Sequence, residues 1–387
     1  MTVHIIENNL REHLGHFLNS TVGLKHEFEA VGANVKVYTN LRASKDVLSQ
    51  TGGHPIFKHL SWKGERGVNS VVSMRKLGEE FYRQCSKMEV ISSNDLILIC
   101  TALENQIYGV AKFLKSLPHA CRPKLAINFH WENISGNNKR IQAYNEAFSL
   151  LKQVIDPKRV IITASTKGIV DKIISVSAGL PVKVFPCPLY YGEIRPSLKS
   201  ASIESPTLAI LGRSLRRKGT STIYKTIHRL RKKVPQLRYY IQVTYKAPQL
   251  MLLLFTQKAR LHFGGIAPDA YFGLLRSADI FLLPYLIEAY SDRFSGILAD
   301  CAAMGGTAIV PSGTWLEKQV LAKHAAGVIF DPSREGSVED AVVEAIEKLE
   351  QLRQLAYECS GYWWHHQSAA AYVRELKNFF GEGASGF

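Results

Sequence analysis

Short apolar runs alternate along this chain with longer stretches in which apolar side chains return every three or four positions. VHIIE, residues 3 to 7, reads as a strand, and REHLGHFLNSTVGLKHEFEAVG follows as a loop containing Gly15 and then a helix. The succession continues through ANVKVYTN, a helical stretch around SMRKLGEEFYRQCSKM, DLILICT, the helix IYGVAKFLKSL, KLAINF, a helix around IQAYNEAFSLLKQV, RVIITA, another helix, and VKVFP. Strands that alternate with helices of this length require crossover connections and a parallel sheet. Residues 1–186 are therefore expected to form one doubly wound, Rossmann-like α/β domain.

Residues 187–206, within PCPLYYGEIRPSLKSASIESP, have the Pro and Ser content of a linker. The alternation then resumes with TLAILG, the basic helix TSTIYKTIHRLRKKV, RYYIQV, ARLHF, AYFGLLRSA, DIFLLPY, a helix from Ser295, TAIVP, GVIFD and the helix SVEDAVVEAIEKLEQLRQLA. This predicts a second Rossmann-like domain over 207–360. The aromatic tail, 361–387, is expected to return as a helix toward the first domain. Two such domains in tandem would place a ligand in the cleft between them, where the carboxyl ends of the strands face each other.

A chain of 387 residues exceeds what one hydrophobic core usually serves, in keeping with two domains. Its 46% hydrophobic and 21% charged residues are those of a globular protein, without internal repeats or low-complexity tracts. No apolar run is long enough for a membrane span, and residues 1–20 carry charges where a signal peptide needs an apolar centre. The expected location is the cytoplasm. Cys85, Cys100, Cys121, Cys187, Cys301 and Cys359 have neither metal-like nor disulfide-framework spacing, so reduced thiols are expected. The formal charge of +15 suits a polyanion or an anionic membrane face, including peripheral attachment at the inner face, but does not choose among nucleic acid, phospholipid and phosphorylated small molecules.

Two stretches carry candidate chemistry. YSDRFSGILADCAAMGG, Tyr290 to Gly306, leaves a buried strand, sets Asp292 and Arg293 beside Phe294, Ser295 and Gly296, and places Asp300 eight positions after Asp292. With about 100° per residue, the run from Ser295 reads as a packed helix with Asp292 at its mouth and Asp300 some two turns inside. Asp292 or Ser295 can cap that helix; alternatively, the amides of Phe294, Ser295 and Gly296 form an anion site at its N-terminus. In LAILGRSLRRKGTS a strand ends at Gly212, and Arg213 and Lys218 flank the following loop. A cation on each side of a glycine turn can grip a diphosphate, or the run is a solvated basic turn.

Taken in order, GRSLRRKG, FGG, ADIFLLP, DRFSGILAD and AMGGTAIVPSGTW resemble the second domain of retaining, nucleotide-sugar-dependent glycosyltransferases of the GT-B architecture. The resemblance covers nearly the whole chain and is strongest from Leu208 to Pro332. It implies that Gly212, Arg213 and Lys218 hold the donor diphosphate together with the amides near Phe294, Ser295 and Gly296. It also implies that Gly265 and Ile266 line the donor, that Asp300 reads the ribose, and that Asp292 lines the sugar site. In the first domain, His130 at the end of KLAINFH would face the donor sugar and Gly15 would stand beside the phosphates, although His13, His16 and His130 can equally be plain structural residues. Both acids are Asp where the family has Glu, and Arg293 stands where the family commonly has Gly.

The implied reaction is a metal-free, front-face transfer to a glycan, lipid-linked or small-molecule hydroxyl acceptor, with no cofactor. The rivals are a sugar-nucleotide epimerase of the same architecture and a basic nucleic-acid-binding protein. Against the latter, the basic helix lacks interleaved stacking aromatics, and no nucleic acid is expected as partner.

Overall fold

The computed structural model of the chain describes residues 1–12, 16–61, 70–89, 91–131, 134, 137–196, 198, 205–212, 215–243 and 259–381. The chain divides into two compact units, one made of Met1–Gly192 with Gln367–Phe387 and the other of Glu193–His366. Among the described residues no helix is long and apolar enough to cross a membrane.

The first unit is built on a seven-stranded sheet. Its strands are β1 (Thr2–Glu7), β2 (Asn34–Asn40), β3 (His54–Phe57), β4 (Leu96–Ile99), β5 (Lys124–Phe129), β6 (Val160–Ala164) and β7 (Val182–Val184). All neighbours pair in parallel in the order β3-β2-β1-β4-β5-β6-β7, as crossover connections demand. Successive residues of a strand point to opposite faces, and both faces are covered. Ile6, Ile97, Ile99 and Ile127 pack on one side with Phe81, Ile107, Val110 and Phe148 from three helices. Val3, Ile5, Leu96, Leu98 and Ala126 pack on the other with Leu24 and Phe28, and with Tyr372, Val373, Leu376 and Phe380 of the helix Ala369–Gly381. That C-terminal helix thus completes the first unit; each such side chain taken out of water contributes roughly 1.5–3 kcal/mol. Tyr372 is also tied to the sheet, its hydroxyl 3.0 Å from Thr163 Oγ1.

β3 and the helix Lys45–Thr51 before it are absent from the pattern read in the sequence. The strand has only four residues, lies at the sheet edge and buries Phe57 alone, so it carries no run or alternation to read.

In the second unit a six-stranded sheet comprises β8 (Thr207–Ile210), β9 (Arg238–Val243), β10 (Ala259–Phe263), β11 (Ile280–Leu282), β12 (Thr307–Pro311) and β13 (Gly327–Phe330). Their order, β10-β9-β8-β11-β12-β13, is again wholly parallel. All six are strands that the hydrophobic pattern predicts. Leu208, Ile210, Ile280, Leu282 and Ile309 bury one face against Ile223, Ile227 and Leu230 of the helix Thr220–Lys233 and Val342 of the helix Ser337–Glu347. Asp279, just before β11, is buried: it accepts from Thr207 N at 2.8 Å and from Arg353 Nη2 at 2.6 Å. The acid of ADIFLLP therefore ties two strand starts to a helix at the amino edge of the sheet.

In both sheets the order reverses where the first strand of the unit meets the fourth in chain order, β1 beside β4 and β8 beside β11. Such switch points leave a crevice outside the carboxyl ends of the strands.

Candidate functional site

At the switch point of the second sheet, β8 gives way through Leu211 to Gly212, whose φ is +95°. A Cβ there would lie 2.5 Å from both Lys218 Nζ and Ile297 Cδ1, so only glycine lets this side chain and the helix Gly296–Ala303 close on the strand end. Lys218 ends the turn Arg216–Lys218, and its Nζ sits 5.1 Å from the centroid of the Tyr285 ring. The turn is docked on the chain that leaves β11: Leu286 N donates to Arg217 O at 3.0 Å, and Gly219, at φ +68°, lies so close to Pro284 that a Cβ would meet its carbonyl oxygen at 1.9 Å. Gly212, Lys218 and the first turn of the helix Gly296–Ala303 are thus brought together. Arg213 lies outside the described residues.

Gln242, at the end of β9, holds this edge from the side. Its Oε1 accepts from Gly212 N at 2.7 Å and its Nε2 donates to Gly264 O at 2.7 Å, joining the ends of β8 and β10. The loop Gly264, Gly265 and Ile266 then leads to the helix Pro268–Ser277. Gly265 is exposed, and its carbonyl stands 2.9 Å from His262 Nε2; Ile266 is half-buried.

Ser295 is the cap of the helix Gly296–Ala303: its Oγ accepts from Leu298 N at 3.2 Å. The helix begins at Gly296, so Asp300 stands a single turn inside, not two. Tyr271 Oη donates to Asp300 Oδ2 at 2.8 Å, which brings this carboxyl to the helix following the Gly265 loop. Asp300 is half-exposed but closely ringed by protein, and desolvation raises its pKa from the ordinary 3.8 to about 7 against the opposing hydrogen bond from Tyr271. Below pH 4 the carboxyl is protonated whether the unit is folded or not. Between pH 4 and 7 the folded form binds the proton more tightly, so this group makes the second unit progressively less stable as pH rises through that window. Asp300→Asn is expected to flatten this part of the thermal stability profile; an unchanged profile between pH 4 and 7 would contradict the assignment.

Asp292 takes another direction. Lys318 Nζ, on the helix Trp315–Leu321, donates to Asp292 Oδ1 at 3.3 Å and to Ser291 O at 3.3 Å. The Phe294 ring turns to Trp315 and Trp363, with centroids 4.8 Å and 6.3 Å away, anchoring the loop to an aromatic cluster. Tyr285 and Tyr290, both buried, meet at a 40° tilt with ring centroids 4.4 Å apart.

In the first unit His130, half-buried just past β5, meets the His16 ring edge-on at 4.3 Å, and its Nε2 is 3.4 Å from Asn128 Nδ2. His16 precedes the helix Phe17–Ala30; Gly15 and His13 lie outside the described residues. At the switch point, β1 ends on Glu7, whose oxygens accept from Thr101 Oγ1 at 2.7 Å and Asn9 N at 3.0 Å. Burial raises its pKa from 4.5 to about 7. Ser61 extends the network, accepting from Asn9 Nδ2 at 3.1 Å and donating to Thr101 O at 2.9 Å. Among the described residues, no group of three His, Cys, Asp or Glu is placed to hold a metal ion.

Gln242, Tyr271, Tyr285, Lys318 and Glu7 are absent from the sites read in the sequence. Glu7 alone left a signal there, as an acid closing an apolar strand.

No protein-family model and no curated protein matches the chain. Solved structures do match. Sucrose-phosphate synthase from Thermosynechococcus elongatus superimposes with a TM-score of 0.66 at 12% identity, over 99% of this chain and 100% of that one. A glycosyltransferase from Rickettsia africae gives 0.67 at 11%, over 98% of each chain, and Anabaena HepE in complex with UDP-glucose gives 0.64 at 11%, over 99% and 100%. The chain therefore has the GT-B fold of these enzymes over its whole length.

Proposed function

We propose that this chain is a glycosyltransferase that moves a sugar from a nucleoside-diphosphate donor to a hydroxyl acceptor, with retention at the sugar and without a metal ion. One observation carries the reading: Lys218 is held against Gly212, over the Tyr285 ring and beside the first turn of the helix Gly296–Ala303, at the switch point of the second sheet. Breaking the bond between sugar C1 and the diphosphate puts negative charge on the leaving phosphate. Lys218, Arg213 and the amides at the head of that helix supply fixed positive charge for it, the role that a metal ion fills elsewhere. Asp300 accepts from the ribose hydroxyls, Gly265 and Ile266 line the base side, and Asp292 lines the sugar site. The complex of HepE with UDP-glucose makes uridine nucleotides the first probes.

The experiment is transfer or slow hydrolysis across a panel of nucleotide sugars, with the anomeric configuration of the product read by NMR. Retained configuration and activity undiminished by EDTA are expected; inversion, or complete loss on chelation that a divalent ion restores, would overturn those two parts. Asp300 also gives a pH test. An ionised carboxylate accepts both ribose hydroxyls, so nucleoside-diphosphate affinity is expected to rise as pH climbs through about 7 and to lose that dependence in Asp300→Asn. Asp300→Glu, the family's residue, is expected to retain binding.

We further propose that the acceptor is presented at an anionic membrane surface in the cytoplasm. From Ser205 to Pro268 the chain carries 13 Lys and Arg and no Asp or Glu. Anionic lipid contributes about 1 kcal/mol per nearby Lys or Arg, so several would hold the protein reversibly. Co-sedimentation with phosphatidylserine vesicles at low salt, abolished at high salt, is the expected result; no binding at low salt would leave an acceptor free in solution.

A further inference from the structure

In the first unit β1 and β2 pair side by side, and the two loops that leave their carboxyl ends are laced together. Ser44 N donates to Arg11 O at 2.8 Å. The side chain of Asn40 serves both loops: its Oδ1 accepts from Arg11 Nε and from Arg42 N, each at 3.0 Å, while its Nδ2 donates to Asn8 O at 2.9 Å. Asn40 and Asn8 are buried, and Ser61 Oγ lies 3.0 Å from Asn8 Oδ1. The buried network of Glu7, Thr101 and Ser61 therefore continues through two asparagines to Arg11, and a network so connected is rigid.

Asn40 engages only the Nε of Arg11. The Nη1–Nη2 edge of that guanidinium, and the whole guanidinium of Arg42, have no hydrogen-bond or ion-pair partner among the described residues. Arg11 is half-buried and Arg42 exposed. Loss of hydration, and then the like charge of Arg42, lower the proton affinity of Arg11, while Glu12 draws it the other way without pairing to it. Electrostatically the arrangement opposes folding, since Arg11 exchanges water for one neutral acceptor and faces another cation. A bound anion relieves both effects. A phosphomonoester matches best, because its three terminal oxygens can meet both guanidinium edges, whereas a carboxylate occupies one.

We propose that Arg11 and Arg42 bind a phosphomonoester on the acceptor, so that the hydroxyl group receiving the sugar belongs to a phosphorylated molecule. This rests on the reading of the chain as a nucleotide-sugar transferase with its donor on the second unit. Calorimetric titration of the full chain with glucose 6-phosphate, mannose 6-phosphate and glycerol 3-phosphate, each against its unphosphorylated parent, probes a soluble acceptor. Co-sedimentation with phosphatidylcholine vesicles carrying phosphatidic acid, against equally charged vesicles carrying phosphatidylglycerol, probes a lipid one. A preference of at least tenfold for the phosphomonoester is expected in one arm, which identifies its source. Arg42→Ala should remove that preference, and Arg11→Lys, which keeps the charge but not the fork, should weaken phosphomonoester binding at least tenfold. Both variants should bind UDP or GDP within twofold of the wild type, because the groups proposed to hold the diphosphate lie in the second unit. No preference in either arm would overturn the inference, and saturable nucleoside-diphosphate binding by the same protein would leave the donor site standing. A preference that survives both substitutions would overturn the assignment to these arginines. Loss of nucleoside-diphosphate binding in either variant would make the pair part of the donor site and overturn its role toward the acceptor. Phosphomonoester binding without binding of either nucleoside diphosphate would overturn the transferase reading, and the acceptor role with it.

Discussion

Lys218→Ala is expected to lower sugar-transfer turnover at least tenfold while the protein stays folded. The side chain is half-buried, and its amine rests on a tyrosine face and against a glycine. Its proposed work is electrostatic. A charge-assisted contact to phosphate contributes about 1.5–3 kcal/mol, and one that strengthens as charge grows on the leaving group acts on the barrier, where each 1.36 kcal/mol is about tenfold in rate. Turnover of the variant, beside its melting curve, decides the matter. Near-normal turnover in a folded variant would return the Arg216–Lys218 turn to a solvated basic turn. Arg213→Ala is expected to behave alike.

The second large effect is structural. Gly219→Ala is expected to destabilise the second unit by about 3 kcal/mol, since a left-handed backbone costs an alanine about 1–2 kcal/mol and forcing atoms into a filled space typically costs 1–3 kcal/mol. The added methyl would stand 1.9 Å from Pro284 O at φ +68°, so the turn must lift off the chain leaving β11 and carry Lys218 with it. Gly336→Ala is the control, because its φ is +82° but nothing lies within 4 Å of its Cβ position. Chemical unfolding should show a loss of about 1–2 kcal/mol at Gly336 and roughly twice that at Gly219. Equal losses would mean that the approach to Pro284 is easily relieved.

Sequence pattern and structure agree best where a signal is local. Of the six strands of the second unit, β8, β11 and β12 are apolar runs buried almost throughout, and each stands out without knowledge of its neighbours. The pairing of a glycine turn with a lysine turn was legible for the same reason, since strand end, glycine and cation fall within a few residues. What was not legible depends on contacts between distant segments. Gln242 is one polar residue in an ordinary strand until the ends of β8 and β10 are seen on its two sides. Tyr271 reaches Asp300 across 29 positions and Lys318 reaches Asp292 across 26, with no spacing in the chain to announce either. Counting turns from Asp292 also misplaced Asp300, because Ser295 caps the helix and delays its start to Gly296. Of the two readings of that stretch, the cap is seen in the Ser295 side chain; the head of the helix lies near Gly212 through Ile297.

The central claim is that the switch point of the second sheet receives a nucleoside diphosphate. Calorimetric titration of the wild-type, Lys218→Ala and Asp300→Ala proteins with UDP, GDP and a short oligonucleotide tests it most directly. The account predicts saturable binding of one nucleoside diphosphate at a single site, weakened at least tenfold by each substitution, and no comparable site for the oligonucleotide. Binding of the oligonucleotide alone, or a nucleoside-diphosphate affinity unmoved by either substitution, would contradict it.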